Sequence, residues 1–205
     1  MLNSPEFKQH FEALLGSTND LSLYTPEVQT HIPELDDIIS PYEVEQQIKI
    51  LKAGKAAGAD GVPPGIFRFL SDDWILCITY IFNNVFATQY PKEWSLAKLF
   101  VIYKKGDRLE PGNYRGISIL VALAKIYDGV LNWRFVQWYT PDEEQAGGQK
   151  GRGCPEQLLT LRLFIDIARK TKNCLYILFV DYIKAYDRVN CNILLQMLAD
   201  QGCRG

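Results

Sequence analysis

The stretch Ala97–Leu120, AKLFVIYKKGDRLEPGNYRGISIL, holds two short β-prone runs, Leu99–Tyr103 and Ile117–Leu120, on either side of a turn-rich middle from Gly106 to Asn113. Runs of that length bounded by Gly, Pro, Asn and Asp predict a two-stranded ribbon. Lys104, Lys105 and Arg108 fall in or beside its tip, and Arg115 begins the return strand. Cations so clustered can converge on a phosphate group, and the planar fork of arginine offers paired donors for that task. An ordinary soluble edge, guarded by its lysines, would carry the same residues.

Outward from the ribbon the periodicity turns helical. On its N-terminal side, Ser40 and Glu43 form a capping box with Pro41 at the first helical position, and Val44, Ile48 and Leu51 share one face. The glycines and prolines of GKAAGADGVPPG end that helix, and Ser71-Asp72-Asp73 leads into a second, expected to be largely buried, from Trp74 to about Phe86. On the C-terminal side, Leu123, Ile126, Tyr127, Val130 and Leu131 recur at helical spacing, as do Leu158, Leu161, Ile165 and Ala168, and later Ile193, Leu194, Met197 and Leu198. Near the start, Phe7, Phe11 and Leu14 lie on one side of a short helix from Ser4-Pro5 to about Gly16, and residues 17–39 read as a linker. Strands and helices alternate irregularly, which predicts an α+β fold.

Composition narrows the function classes. With 205 residues, 47% of them apolar and 22% charged, the chain can bury a sizeable core. The apolar runs are too short to cross a bilayer, so no membrane role is expected. Five scattered cysteines, without C-x-x-C and histidine at zinc spacing, support neither a disulfide framework nor structural zinc. The net charge of −2 conceals a division: residues 1–48 carry nine acids and one base, Lys8, for −8, which leaves +6 in residues 49–205. An acidic leader therefore precedes a basic body.

Two further stretches could carry chemistry. In LYILFVDYIKAYDRV, the run Leu175–Val180 predicts a buried strand, and Asp181 stands where it gives out, followed by Lys184, Tyr186 and Asp187. A carboxylate there can hold a divalent ion, or merely end the strand and cap the next turn of chain. The loop QAGGQKGRGCPEQ places Gln145, Gln149, Lys150 and Arg152 among glycines ahead of a helix, so its amides could receive phosphate oxygens. The spacing of a P-loop is absent.

Taken in order, LKAGKAAGADGVPPGIF (51–67), VIYKKGDRLEPGNYRGISIL (101–120), QAGGQKGRGCPEQ (145–157) and FVDYIKAYDRV (179–189) resemble four successive blocks of the reverse transcriptases of non-LTR (LINE-type) retrotransposons. The resemblance covers about residues 40–205. It implies a partial right-hand polymerase fold, with an acidic leader or linker over 1–39, fingers over about 40–172 and the start of a palm over about 173–205. Carried over residue by residue, Asp181 matches the first metal-binding aspartate, with the backbone carbonyl of Tyr182 assisting. Tyr186 matches the aromatic gate beneath the incoming sugar, and Asp187 a structural turn residue. Arg115 matches the fingers arginine on the incoming triphosphate, with Lys104 or Lys105 as its partner. Gln145 and Arg152, with Lys150 between them, match the block that contacts template or its flanking backbone, and Lys52 and Lys55 fall in the first block, where the family offers either template-strand contact or loop structure. The chain departs from the family at Gly148 and Gln149, where an aromatic and an arginine are usual, and at Gly116, a usual proline site.

The same resemblance implies Mg²⁺ as cofactor, and an RNA template, a DNA primer and deoxynucleoside triphosphates as partners, in the cytoplasm, the nucleus or both. It places the aromatic-x-Asp-Asp turn, the remaining palm and the thumb beyond Gly205, so that this chain alone is expected not to polymerise. Alternatives are a noncatalytic nucleic-acid-binding remnant of a transposable element and a group II intron maturase-like protein, which shares the palm aspartate and fingers arginine.

Overall fold

The structure, a computed structural model, describes residues 5–15, 31–182 and 185–203. They group into two compact units, one of Met1–Trp138 with Tyr186–Gly205, the other of Tyr139–Ala185.

The first unit is built on helices whose ends are set locally. Helix α1 spans Pro5–Leu15, α2 is a single turn at Pro33–Asp36, and α3 runs Pro41–Ile50. The expected capping box opens α3: the Ser40 hydroxyl accepts from the Glu43 amide at 3.3 Å, and the Ser40 amide donates to the Glu43 carboxylate at 2.8 Å. Helix α4 follows at Asp72–Ala87 and α5 at Ala122–Trp138. Between them β1 (Lys98–Tyr103) and β2 (Tyr114–Ile119) form the expected antiparallel ribbon, with Ile102 opposite Arg115 and Val101 opposite Gly116. A 3-10 turn at Tyr186–Arg188 and helix α7, Cys191–Asp200, complete the unit, α7 being capped by the Asn190 side chain.

The core lies between α3, α4 and α5. Val44 and Ile48, Ile78 and Phe82, and Ile126, Tyr127 and Val130 bury one face of each helix, joined by Trp94 and Val121. Each fully buried aliphatic side chain contributes about 1.5–3 kcal/mol. Phe82 meets Trp94 and Tyr127 edge-on at 5.8 and 5.3 Å. The expectation that α4 is largely buried is corrected: Ile78, Thr79 and Phe82 are inside, but Trp74 and Tyr80 are 61% and 71% exposed. Apolar composition does not distinguish a helix covered on one stripe from one covered all round, since only neighbours decide that.

Two contacts show how loops are held. Asn83 of α4 accepts from the Ile39 amide and donates to the Ile39 carbonyl, at 2.7 and 2.8 Å, so the tail of the expected linker is fastened to the core. Gly58 is buried in the loop after α3, where a Cβ would fall 2.6 Å from the backbone of Val121. Only glycine lets the loop lie that close.

The second unit contains α6, Cys154–Thr171, preceded by the glycine-rich loop and followed by Asn173–Tyr182. No residue of α6 is buried. The expected buried strand at Leu175–Val180 is not found: the segment has no strand assignment, and Tyr176, Leu178 and Phe179 are 92%, 86% and 79% exposed. A strand exists only through its ladder partner, and among the described residues the sole ladder joins β1 to β2. The α+β class stands on helices and this one ribbon.

Candidate functional site

Because side chains alternate along a strand, the ribbon has two faces with different fates. Tyr103, Val101 and Leu99 share one with Tyr114 and Gly116, and α1 lies over it: Phe7 meets the Tyr114 ring edge-on at 5.0 Å, and Phe7, Phe11 and Tyr114 are all buried. Arg115 stands on the other face with Phe100, Ile102 and Ile117, all exposed. Lys104 extends the alternation by one step, its amide donating to the Asn113 carbonyl at 2.9 Å, and so shares the face of Arg115; Lys105 lies in the bend beyond the ladder.

The tip is internally tied. The Tyr114 hydroxyl donates to the Arg108 carbonyl at 3.0 Å, the Asn113 amide group to the Asp107 carbonyl at 2.9 Å, and the Tyr103 hydroxyl to the Gly106 carbonyl. Arg108 holds its guanidinium 5.3 Å above the Tyr103 ring, a cation–π contact. Arg115, Lys104 and Lys105 enter no ion pair among the described residues. Ordered backbone thus presents positive charge that no ion pair offsets among the described residues, on an accessible surface, an arrangement suited to a polyanion.

No protein-family model matches the chain. Curated relatives do. Over 166 residues, 76% of this chain, it is 33% identical to a probable RNA-directed DNA polymerase from transposon X-element of Drosophila melanogaster, covering 18% of that protein. It is 32% identical to the corresponding protein of transposon BS from the same organism, over 82% of this chain and 19% of the relative. The RNA-directed DNA polymerase from mobile element jockey of Drosophila funebris is 30% identical over 89% of this chain and 21% of its own length. The chain is homologous to RNA-directed DNA polymerases of non-LTR retrotransposons. It spans about a fifth of the length of the curated relatives it matches.

The other positions that matched this polymerase family distribute over both units. Lys52 and Lys55 are exposed in the loop that Gly58 pins, and Tyr186, 95% exposed, opens the 3-10 turn of the first unit. Lys184 and the side chain of Asp187 lie outside the described residues. In the second unit, the Gln145 amide group donates to the Gly147 carbonyl at 3.0 Å and Arg152 pairs with Glu156 at 3.1 Å, one turn along. Both side chains shape their own loop, while Lys150 is exposed. Asp181 and Tyr182 are exposed, and among the described residues no group of three or more His, Cys, Asp or Glu could hold a metal ion. Among the described residues Asp181 is therefore one carboxylate without the companions a two-ion site requires. No described helix is long and apolar enough to cross a membrane.

Sequence reasoning missed one polar centre. Arg134 is 5% exposed, and its five N–H groups are all engaged: Nε and one terminal nitrogen with the Glu43 carboxylate at 2.5 and 3.0 Å, the rest with the carbonyls of Leu35, Asp37 and Ile38. Burial alone would raise the Glu43 carboxyl, but the hydrogen bonds from Arg134 and Ser40 and the nearby guanidinium outweigh it and hold the carboxyl below its ordinary value. The available signal was positional: Tyr127, Val130 and Arg134 share the buried stripe of α5, so the arginine had to be paired. Nearby, Tyr90 bonds Asp128 at 3.4 Å. Burial and the Asp128 charge push the Tyr90 phenol up to about 12, while burial raises Asp128.

Proposed function

We propose that this chain forms the fingers and the start of the palm of a non-LTR retrotransposon reverse transcriptase, an RNA-directed DNA polymerase. The observation that carries this is the open ribbon face: Arg115 and Lys104 project from a tied hairpin with no anionic partner among the described residues, where the triphosphate of an incoming deoxynucleotide would supply it. Strand alternation favours Lys104 over Lys105 as partner to Arg115. Tyr186 would lie against the sugar, Lys52 and Lys55 would follow the template backbone, and Gln145, Lys150 and Arg152 would meet template. Asp181, with the Tyr182 carbonyl, would contribute to a Mg²⁺ site in the whole protein, where that ion would supply charge neutralisation at the phosphates.

The test is binding by the purified chain of an RNA template annealed to a DNA primer, over a series of salt concentrations. Phosphate contacts predict that log affinity falls linearly with log salt, and the double variant K52A/K55A should reduce the slope by about 2. R115A should weaken binding of a fluorescent deoxyadenosine triphosphate by about tenfold and leave the salt slope nearly unchanged. Undetectable binding of primer–template at low salt would overturn the reading.

A further inference from the structure

We infer that α1 is a strut which sets the spacing between Arg115 and Tyr186, making Phe7 and Phe11 positioning residues for the incoming nucleotide. The inference rests on the nucleotide-contact reading of those two groups, but its structural basis is independent of that reading. The Cα atoms of α1 come within 8 Å of the 3-10 turn Pro111–Asn113 at the ribbon's tip and of the turn Tyr186–Arg188. These turns are more than seventy residues apart in the chain, and α1 touches both. Its grip on the ribbon is close: Phe7 is edge-on to Tyr114, and at Gly116 a Cβ would lie 3.1 Å from the Phe11 ring and 3.0 Å from Leu99. The absence of a side chain at Gly116 is what seats Phe11 on β2, one residue from Arg115.

Strand geometry sets the consequence. Phe7, Phe11 and Tyr114 are buried together with Leu14 and Val101 against them, a cluster separate from the core between α3, α4 and α5. Without α1, the covered face of a two-stranded ribbon would be open, and such a ribbon is marginally stable by itself. Arg115 and Lys104 would then lose a fixed orientation, although no residue touching nucleotide had changed. Such a loss enters binding as the entropy of reordering the ribbon.

The test is hydrogen exchange on the full chain, wild type against F7A/F11A, read together with binding of the fluorescent deoxyadenosine triphosphate. The strut predicts that amides of both 98–119 and 186–190 exchange about tenfold faster or more, while the core of α3, α4 and α5 keeps its protection. Nucleotide binding should weaken about as much as in R115A, and F11L should restore most of it. If exchange rises in both segments but R115A and F7A/F11A bind nucleotide as the wild type does, the strut stands and the nucleotide reading fails. If only the ribbon responds, or neither segment does, the strut is overturned whatever the binding. Should F7A/F11A lose the core as well, the single variant F11A decides the matter: faster exchange confined to the two segments supports the strut, and unchanged exchange in both refutes it.

Discussion

Replacing Arg134 with methionine tests the buried polar centre most directly. The substitution keeps much of the side-chain volume but removes every donor of a guanidinium that bonds Glu43 twice and the carbonyls of Leu35, Asp37 and Ile38. Removing one partner of a buried ion pair costs about 3–5 kcal/mol, because the remaining charge is stranded. The bonds to the Leu35, Asp37 and Ile38 carbonyls are only part-buried, so the lower half of that range is expected. Even about 3 kcal/mol is a large share of the roughly 5–15 kcal/mol that holds a domain folded. Urea denaturation at neutral pH, for wild type, R134M, E43Q and the double variant, gives the cost and, through the double-mutant cycle, a coupling of about 1–3 kcal/mol. The pH dependence has a defined sign. The Glu43 carboxyl is held below its ordinary value in the folded state, so its stabilisation is fully present above the ordinary carboxylate range and is lost as pH falls through the depressed folded value. The difference between wild type and E43Q should therefore be flat from neutral pH to about pH 5 and shrink below it. An R134M cost below about 1 kcal/mol, the level of an exposed pair, would refute the reasoning.

Other outcomes depend on single contacts. G58A should cost about 1–3 kcal/mol in the same assay, because its Cβ would meet the Val121 backbone at 2.6 Å, and a neutral result would show that the loop can move away. Asp128 has a raised folded value, so its ionisation penalises the folded state progressively as pH rises above 3.8; D128N should stabilise at neutral pH by about 0.5–1 kcal/mol and lower the Tyr90 phenol from about 12, as followed by ultraviolet titration. K104A should weaken triphosphate binding by about tenfold and K105A by about twofold or less, and equal effects would contradict the assignment from strand alternation.

Features that depend on neighbours a few residues away were legible in the residues themselves. The Ser40–Glu43 capping box, the apolar stripes of α3 and α5, and the ribbon with its basic tip each need only short-range geometry, and each is found where the residues place it. Four ordered blocks, matched as residue strings, also pointed to the polymerase family. Tertiary structure alone decided which face of the ribbon α1 covers, that Arg134 gathers the Glu43 carboxylate with three distant carbonyls, and that α4 leaves Trp74 and Tyr80 outside. It also decided that Leu175–Val180 forms no strand, because a β-ladder is a property of two segments and the hydrophobicity of one cannot supply the hydrogen bonds of the other.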